Sequence, residues 1–279
     1  MGRPLVAALV SDAVGDQRTA IVTGAGTGIG SALAIELGTL GWSVALGGRR
    51  VDRLEETAAA VHDAGGTPFV RALDVSEPES ASTFYAAAEE ALGPVDVLVN
   101  NAAVATPGWL HDLPVDALQR EVATNLLGPI LMSRLAINSM RARGARGDLV
   151  FITSDATRNP RPRLTTYSAT KAGVEALAHT LSLELEGTGI RSITVRVGPT
   201  LSEFGFGWPM DVLEDLMTYW PRFGLGRHAH VLDAEAVAKA VIVAVSAPEG
   251  VHLDTIEVQP QAPVGDHGAA QALERPDRG

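Results

Sequence analysis

Thr23-Gly24-Ala25-Gly26-Thr27-Gly28-Ile29-Gly30 sits between a short apolar run, residues 20–23, and an apolar-periodic stretch, residues 29–40. A strand that turns through glycines into a helix brings backbone amides and a helix N-terminus to one point, where a phosphate or pyrophosphate can be held. Glycines at 24, 28 and 30 keep side chains out from between backbone and phosphate, permit positive φ and let the helix approach the sheet. The spacing G-x-G-x-x-G is not met: starting from Gly24, Gly26 or Gly28, the third position falls on Ile29, Ser31 or Leu33. On this segment alone, a glycine-rich turn with no ligand is the competing reading.

Outward from that turn, short β-rich apolar runs alternate with amphipathic stretches rich in Ala, Leu and Glu. Strands are expected at 20–23, 43–46, 69–73, 95–99, 148–153, 190–197 and 255–258. Helices are expected at 29–40, 53–64, 78–92, 115–143, 167–186 and 234–247, several followed by a glycine (Gly41, Gly65, Gly93, Gly187). The alternation predicts an α/β fold: one doubly wound, seven-stranded parallel sheet with helices on both faces, in a single domain over residues 19–260. Residues 1–18 read as an irregular leader without a convincing cleavage site. Residues 199–230 break the rhythm and carry Phe204, Phe206, Trp208, Tyr219, Trp220 and Phe223, so they are expected to form an insertion of short helices or loops. Residues 261–279 have little to bury and are expected to form a mobile tail.

Composition narrows the classes. The 279 residues are 46% hydrophobic and 20% charged, enough for a sizeable core. A net charge of −11 opposes long-range attraction to nucleic acid or an anionic membrane, so small molecules or copies of the same chain are the expected partners. No cysteine is present, which excludes disulfides, thiolate metal sites and a cysteine nucleophile. This fits a reducing compartment, and a cytoplasmic location is expected. No uninterrupted apolar run approaches the roughly 20 residues of a membrane span. His228 and His230 lack further ligands at metal-binding spacing, and no metal is expected.

Thr23 to Gly30 match position for position the T-G-x-x-x-G-I-G turn of the short-chain dehydrogenase/reductase family, and four more signatures follow in family order. Asp74-Val75 ends the third strand, and Asn100-Asn101-Ala102-Ala103 the fourth. Asn125-Leu126-Leu127-Gly128 lies in the long helix, and Ser154 precedes Tyr167-x-x-x-Lys171. The chain therefore resembles that family, which implies a Rossmann-like fold and an NAD(P)H-dependent oxidoreductase interconverting a carbonyl and a secondary alcohol. The resemblance places the dinucleotide against Gly24, Thr27, Gly28, Ile29 and Gly30, the adenine at Asp74 and Val75, and the ribose at Asn101 and Ala102. It makes Tyr167 the acid/base, Ser154 the substrate-polarising hydroxyl, Lys171 a partner of Tyr167 and of the ribose, and Asn125 a link through its carbonyl to a proton relay. It also implies a homodimer or homotetramer.

Two arginines bear on cofactor choice. An acid at the end of the second strand would bond ribose hydroxyls and repel a 2′-phosphate, whereas this chain reads Leu46-Gly47-Gly48-Arg49-Arg50. NADP(H) is therefore favoured over NAD(H), with Arg49 as the phosphate clamp and Arg50 a second contact; solvated arginines at a helix entrance are the alternative. Asp74, or equally Ser76, could instead be a helix cap. Tyr167 and Lys171 are four apart and share a helix face, and an ammonium beside a phenol favours the phenolate.

The chain departs from the family pattern at Ala103 for a final glycine, at Ile193 for an asparagine, and at Val197-Gly198-Pro199, where Thr200 or Ser202 stands in for the threonine that bonds the carboxamide. The aromatic-rich insertion would form a substrate lid and suggests a mostly hydrophobic substrate, unless those rings simply pack against the body. A catalytically silent NADP-binding sensor or scaffold is the second reading; three intact catalytic side chains count against it.

Overall fold

Every residue of β1 (Thr19–Thr23), β4 (Val97–Asn100) and β5 (Gly147–Ser154) is buried, as strands covered by helices on both faces must be. The computed structural model describes residues 17–201, 204–205, 207–220 and 230–262. Nearly all of the expected leader and tail lies outside these residues, as do Ser202, Phe206, Phe223 and His228. With β2 (Ser43–Gly48), β3 (Thr67–Ala72), β6 (Ile190–Val197) and β7 (Thr255–Val258), the strands form one sheet in the order β3-β2-β1-β4-β5-β6-β7. Every pairing is parallel. The edge strands β3 and β7 are partly exposed, and the alternation of β7 along its length marks a strand covered on one face only.

One face is packed by α1 (Gly28–Thr39), α2 (Val51–Asp63) and α8 (Ala234–Val245), through Leu33, Leu37, Leu54, Val61, Val237 and Val241. The other takes α3 (Pro78–Leu92), α5 (Gly128–Ala142) and α6 (Thr165–Glu184), through Phe84, Tyr85, Met132, Met140, Val174 and Leu181. At the far end of the sheet, buried Asp148 accepts from Arg18 at 2.7 Å and from Arg191 at 2.6 Å, tying the start of β1 and of β6 to β5.

Order reverses between β1 and β4, so their carboxyl ends part and leave a crevice, the place where open α/β sheets bind ligands. One finding differs from the sequence reading. The single helix expected over 115–143 is interrupted: α4 (Val115–Val122) passes through a π turn, Ala123–Leu127, before α5. There the Gly128 amide donates to the Ala123 carbonyl, five residues back, which accommodates one extra residue in the turn. Among the described residues of 199–230 there is one helix, α7 (Met210–Tyr219), anchored by buried Leu216, a short helix of the kind expected for this insertion. No helix among the described residues is long and apolar enough to cross a membrane.

Candidate active site

The crevice opens into a cleft of about 710 Å³ that runs from the glycine turn to the aromatic insertion. At its first end, Gly24 has φ +66°, and a Cβ there would lie 2.9 Å from Ala102 Cα. A Cβ on Gly30 would lie 2.3 Å from the Gly24 carbonyl oxygen, so the turn tolerates only glycine at both places. Thr23 Oγ donates to the Val99 carbonyl at 3.1 Å and accepts from the amides of Asn101 and Ala102 at 3.0 and 3.1 Å. Asn101 Nδ2 reaches back to the carbonyls of Thr23 (2.9 Å) and Gly24 (3.2 Å). The side chain of Asn101 thus braces the turn, while its backbone and that of Ala102 line the cleft. α1 begins at Gly28, so the amides of Gly28, Ile29 and Gly30 have no partner within the helix.

Arg49 and Arg50 are exposed on the cleft rim just past β2, and Arg50 donates to Thr27 Oγ at 3.3 Å, linking the two loops. Asp74 Oδ1 accepts from the amide and hydroxyl of Ser76 at 3.0 and 2.6 Å. This Asx turn replaces the helix cap considered from the sequence, since the N-cap position of α3 is Glu77. Val75 is buried against Gly128. Past β6, the Gly198 amide donates to Val258 and its α-carbon abuts Gln259, while Thr200 Oγ donates to the Gly198 carbonyl at 2.9 Å. The Thr200 hydroxyl therefore shapes its own loop.

Midway along the cleft, Ser154 ends β5, and its Oγ accepts from the Ala156 amide at 3.1 Å in the turn Asp155–Thr157. The first turn of α6 carries Tyr167, with Lys171 one turn further on. Lys171 is buried; its Nζ donates to the Ile152 carbonyl at 2.7 Å and lies 5.9 Å from the Tyr167 ring centroid. Burial lowers its pKa to about 8. Burial also pushes Tyr167 up to about 12; the Ser154 hydrogen bond and Arg161 pull it down, and Asp155 and Glu121 add to the rise. Desolvation thus disfavours the charged forms of both side chains and works against the phenolate that an adjacent ammonium favours.

Asn125, in the π turn, is fully buried. Its Oδ1 accepts from the Val104 amide at 2.8 Å. Its Nδ2 donates to the Val104 carbonyl at 2.8 Å and to Thr170 Oγ at 3.2 Å. The side chain so pins the loop after β4 to α6, next to Lys171.

Four charged residues of the site gave no warning in the sequence. Asp155 and Arg161 form a buried two-pronged ion pair at 2.7 and 2.8 Å, facing the cleft. Glu121, almost wholly buried on α4, accepts from the Thr106 amide, and burial raises its pKa. Arg163 has φ +69°, and its guanidinium lies 4.9 Å from the Trp109 ring and 5.8 Å from Tyr219, paired with Asp215 of α7 at 2.5 Å. In a loop of mixed charge nothing distinguishes such side chains from solvated ones. The insertion divides its aromatics: Phe204, Trp208 and Trp220 line the cleft, whereas Tyr219 packs edge-on against Trp109. Phe204 lies 5.2 Å from the Tyr167 ring and 5.6 Å from Trp208, whose indole N–H donates to Ala105.

Comparison with known proteins gives a consistent picture. Residues 18–207 match the family described as short chain dehydrogenase. Glycine betaine reductase ATRR of Emericella nidulans is 35% identical over 245 residues, 88% of this chain and 19% of that protein, so the chain spans about a fifth of that relative's length. An NADPH-dependent aldehyde reductase-like protein, chloroplastic, of Arabidopsis thaliana is 34% identical over 202 residues, covering 68% of this chain and 74% of the relative. Among solved structures, an alcohol dehydrogenase from the archaeon Thermococcus sibiricus, complexed with 5-hydroxy-NADP, superposes with a TM-score of 0.75 at 29% identity. That match covers 89% of this chain and 99% of the other.

Proposed function

The chain belongs to the short chain dehydrogenase family of oxidoreductases, and from that premise we propose that it interconverts a carbonyl and a secondary alcohol on a mostly hydrophobic small molecule, with NADP(H) as cofactor and Tyr167 as the acid/base. The observation that carries the reading is one continuous cleft holding the glycine turn at one end and Ser154, Tyr167 and Lys171 at its middle.

The residues present fit a phosphorylated dinucleotide. Amides of a helix N-terminus without partners inside the helix face a cradle that a Cβ at Gly24 or Gly30 would fill, Arg49 and Arg50 stand on the rim where a 2′-phosphate would lie, and no acid occupies the end of β2 to repel it. The relative from Arabidopsis and the archaeal structure point the same way, since their descriptions name NADPH and an NADP derivative. When bound, the dinucleotide supplies hydride in the reductive direction and accepts it in the other. Oxygen charge developing on the substrate would be met by the hydroxyls of Ser154 and Tyr167, and Tyr167 would pass its proton to that oxygen. Lys171, held by the Ile152 carbonyl and backed by Asn125, would orient the ribose and return a proton toward Tyr167. Phe204, Trp208 and Trp220 supply apolar walls for the substrate. Exposed Leu127, Ile130 and Leu183 on the outer helices support assembly as a homodimer or homotetramer.

The test is fluorescence titration of the purified protein with NADPH and NADH, with turnover of a panel of hydrophobic ketones by wild type and Tyr167→Phe. Tighter NADPH binding that survives in the variant, with turnover reduced by about 10³-fold or more, is expected. Equal or tighter NADH binding would overturn the cofactor assignment, and no binding of either would return the chain to a non-catalytic role.

A further inference from the structure

The charged groups around the Tyr167 hydroxyl come from four directions. Lys171 stands one turn along the same helix, Asp155 follows Ser154 at the end of β5, Arg161 reaches in from the loop before α6, and Glu121 approaches from α4. Lys171 and Glu121 are engaged with backbone, at Ile152 and Thr106. Asp155 and Arg161 are engaged with each other, side chains 9% and 10% exposed, and both line the cleft.

A buried ion pair is poor evidence for stability, because desolvating two charges offsets their attraction. Its position here has a more specific consequence. Ser154 Oγ donates to Asp155 Oδ1 at 3.4 Å even with the pair in place, so an unpaired carboxylate would hold that proton more strongly against the substrate and would oppose negative charge on Tyr167. Arg161 occupies both oxygens of that carboxylate and brings its own positive charge to the same place. The clamp is itself held: the guanidinium lies 5.5 Å from the Trp220 ring, and the Trp220 indole N–H donates to the Pro162 carbonyl.

We propose that Arg161 is a positioning residue of the reaction, clamping Asp155 so that the acid beside Ser154 is neutralised and the net charge facing the Tyr167 hydroxyl is set by the pair. The proposal rests on Tyr167 being the acid/base, and it predicts that the two partners act in opposite directions. Removing Arg161 leaves an acid facing Tyr167 and disfavours phenolate; removing Asp155 leaves a cation and favours it. Removing both returns the site toward wild type.

The experiment is a tyrosinate absorbance titration of wild type, Arg161→Met, Asp155→Asn and the double variant, each differenced against the same protein carrying Tyr167→Phe. It is run with and without saturating NADP⁺, with NADPH affinity measured in parallel. Failure to bind NADP⁺ would count against the cofactor reading and leave the comparison to Asp155→Asn against wild type, where the expected shift is downward from about 12. The Tyr167 ionisation is expected to move up by about one unit in Arg161→Met, down by about one unit in Asp155→Asn, and to lie between them in the double variant. Arg161→Lys, which keeps the charge and loses the two-pronged geometry, is expected to move it less than Arg161→Met. Absence of any difference among the four, or movement of both single variants in the same direction, would overturn the proposal and leave the pair a packing element of the loop.

Discussion

The two ends of the cleft are built from different materials. At the glycine turn the walls are backbone: a threonine hydroxyl and an asparagine amide lock main-chain atoms of β1 against the loop after β4, and two glycines touch backbone where any side chain would collide. At the substrate end the walls are side chains. A guanidinium clamps a carboxylate, a second guanidinium lies beside two aromatic rings, and indole N–H groups tie the insertion to the loops below. A backbone-built site constrains residue type position by position, and a side-chain-built site constrains only what touches what.

Gly30→Ala strikes the first end hardest. The new methyl would meet a carbonyl oxygen of the same turn, so unfolding by denaturant should show a loss of about 3 kcal/mol, with NADPH binding abolished. If the variant kept wild-type affinity, the turn would be adaptable and the contrast between the ends would collapse.

Lys171 sits at the junction and yields a pH-dependent effect. Its folded pKa of about 8 lies below the ordinary 10.5. Between those values the unfolded chain binds more protons than the folded one, so stability should rise with pH through that window. Tyr167 and Tyr85, both raised above the ordinary 10 by burial, work the other way as pH approaches and passes 10. The cofactor-free protein should therefore gain roughly 2 kcal/mol between pH 8 and pH 10, and Lys171→Met should remove that gain. Denaturant midpoints across this range check it; a flat profile in wild type would mean that the ammonium is better solvated than its burial implies.

The smallest effect belongs to the substrate end. Arg163 holds φ +69°, a conformation that favours glycine, so Arg163→Gly and Arg163→Ala lose the same guanidinium contacts but differ in backbone strain. The alanine variant should be the less stable by about 1 kcal/mol. Equal stabilities would mean that the loop relaxes once the ring contacts are gone.

The same division explains what could be read in advance. The seven strands and the glycine turn were legible because burial on both faces and close backbone approach leave compositional traces, as in Val97–Asn100 or Gly24 to Gly30. Ser154, Tyr167 and Lys171 were legible through family resemblance, and the structure brings all three to one cleft. Asp155, Arg161, Glu121 and Arg163 were not, because a charged residue in a loop or on a helix looks the same whether its partner is water or another side chain. The Tyr167 and Lys171 environments also escaped, since helical spacing reports proximity and is silent on desolvation.

The π turn at Ala123–Leu127 works as a fixed phase offset between two lengths of a periodic structure. Closing that turn to regular α-helical pairing while keeping all five residues would rotate α4 against α5 by about 100°. Glu121 would leave the Thr106 amide and Asn125 would leave Val104 in the same stroke. The wide turn therefore keeps α4 and α5 in step with one and the same loop, the segment after β4 on which both contacts are made.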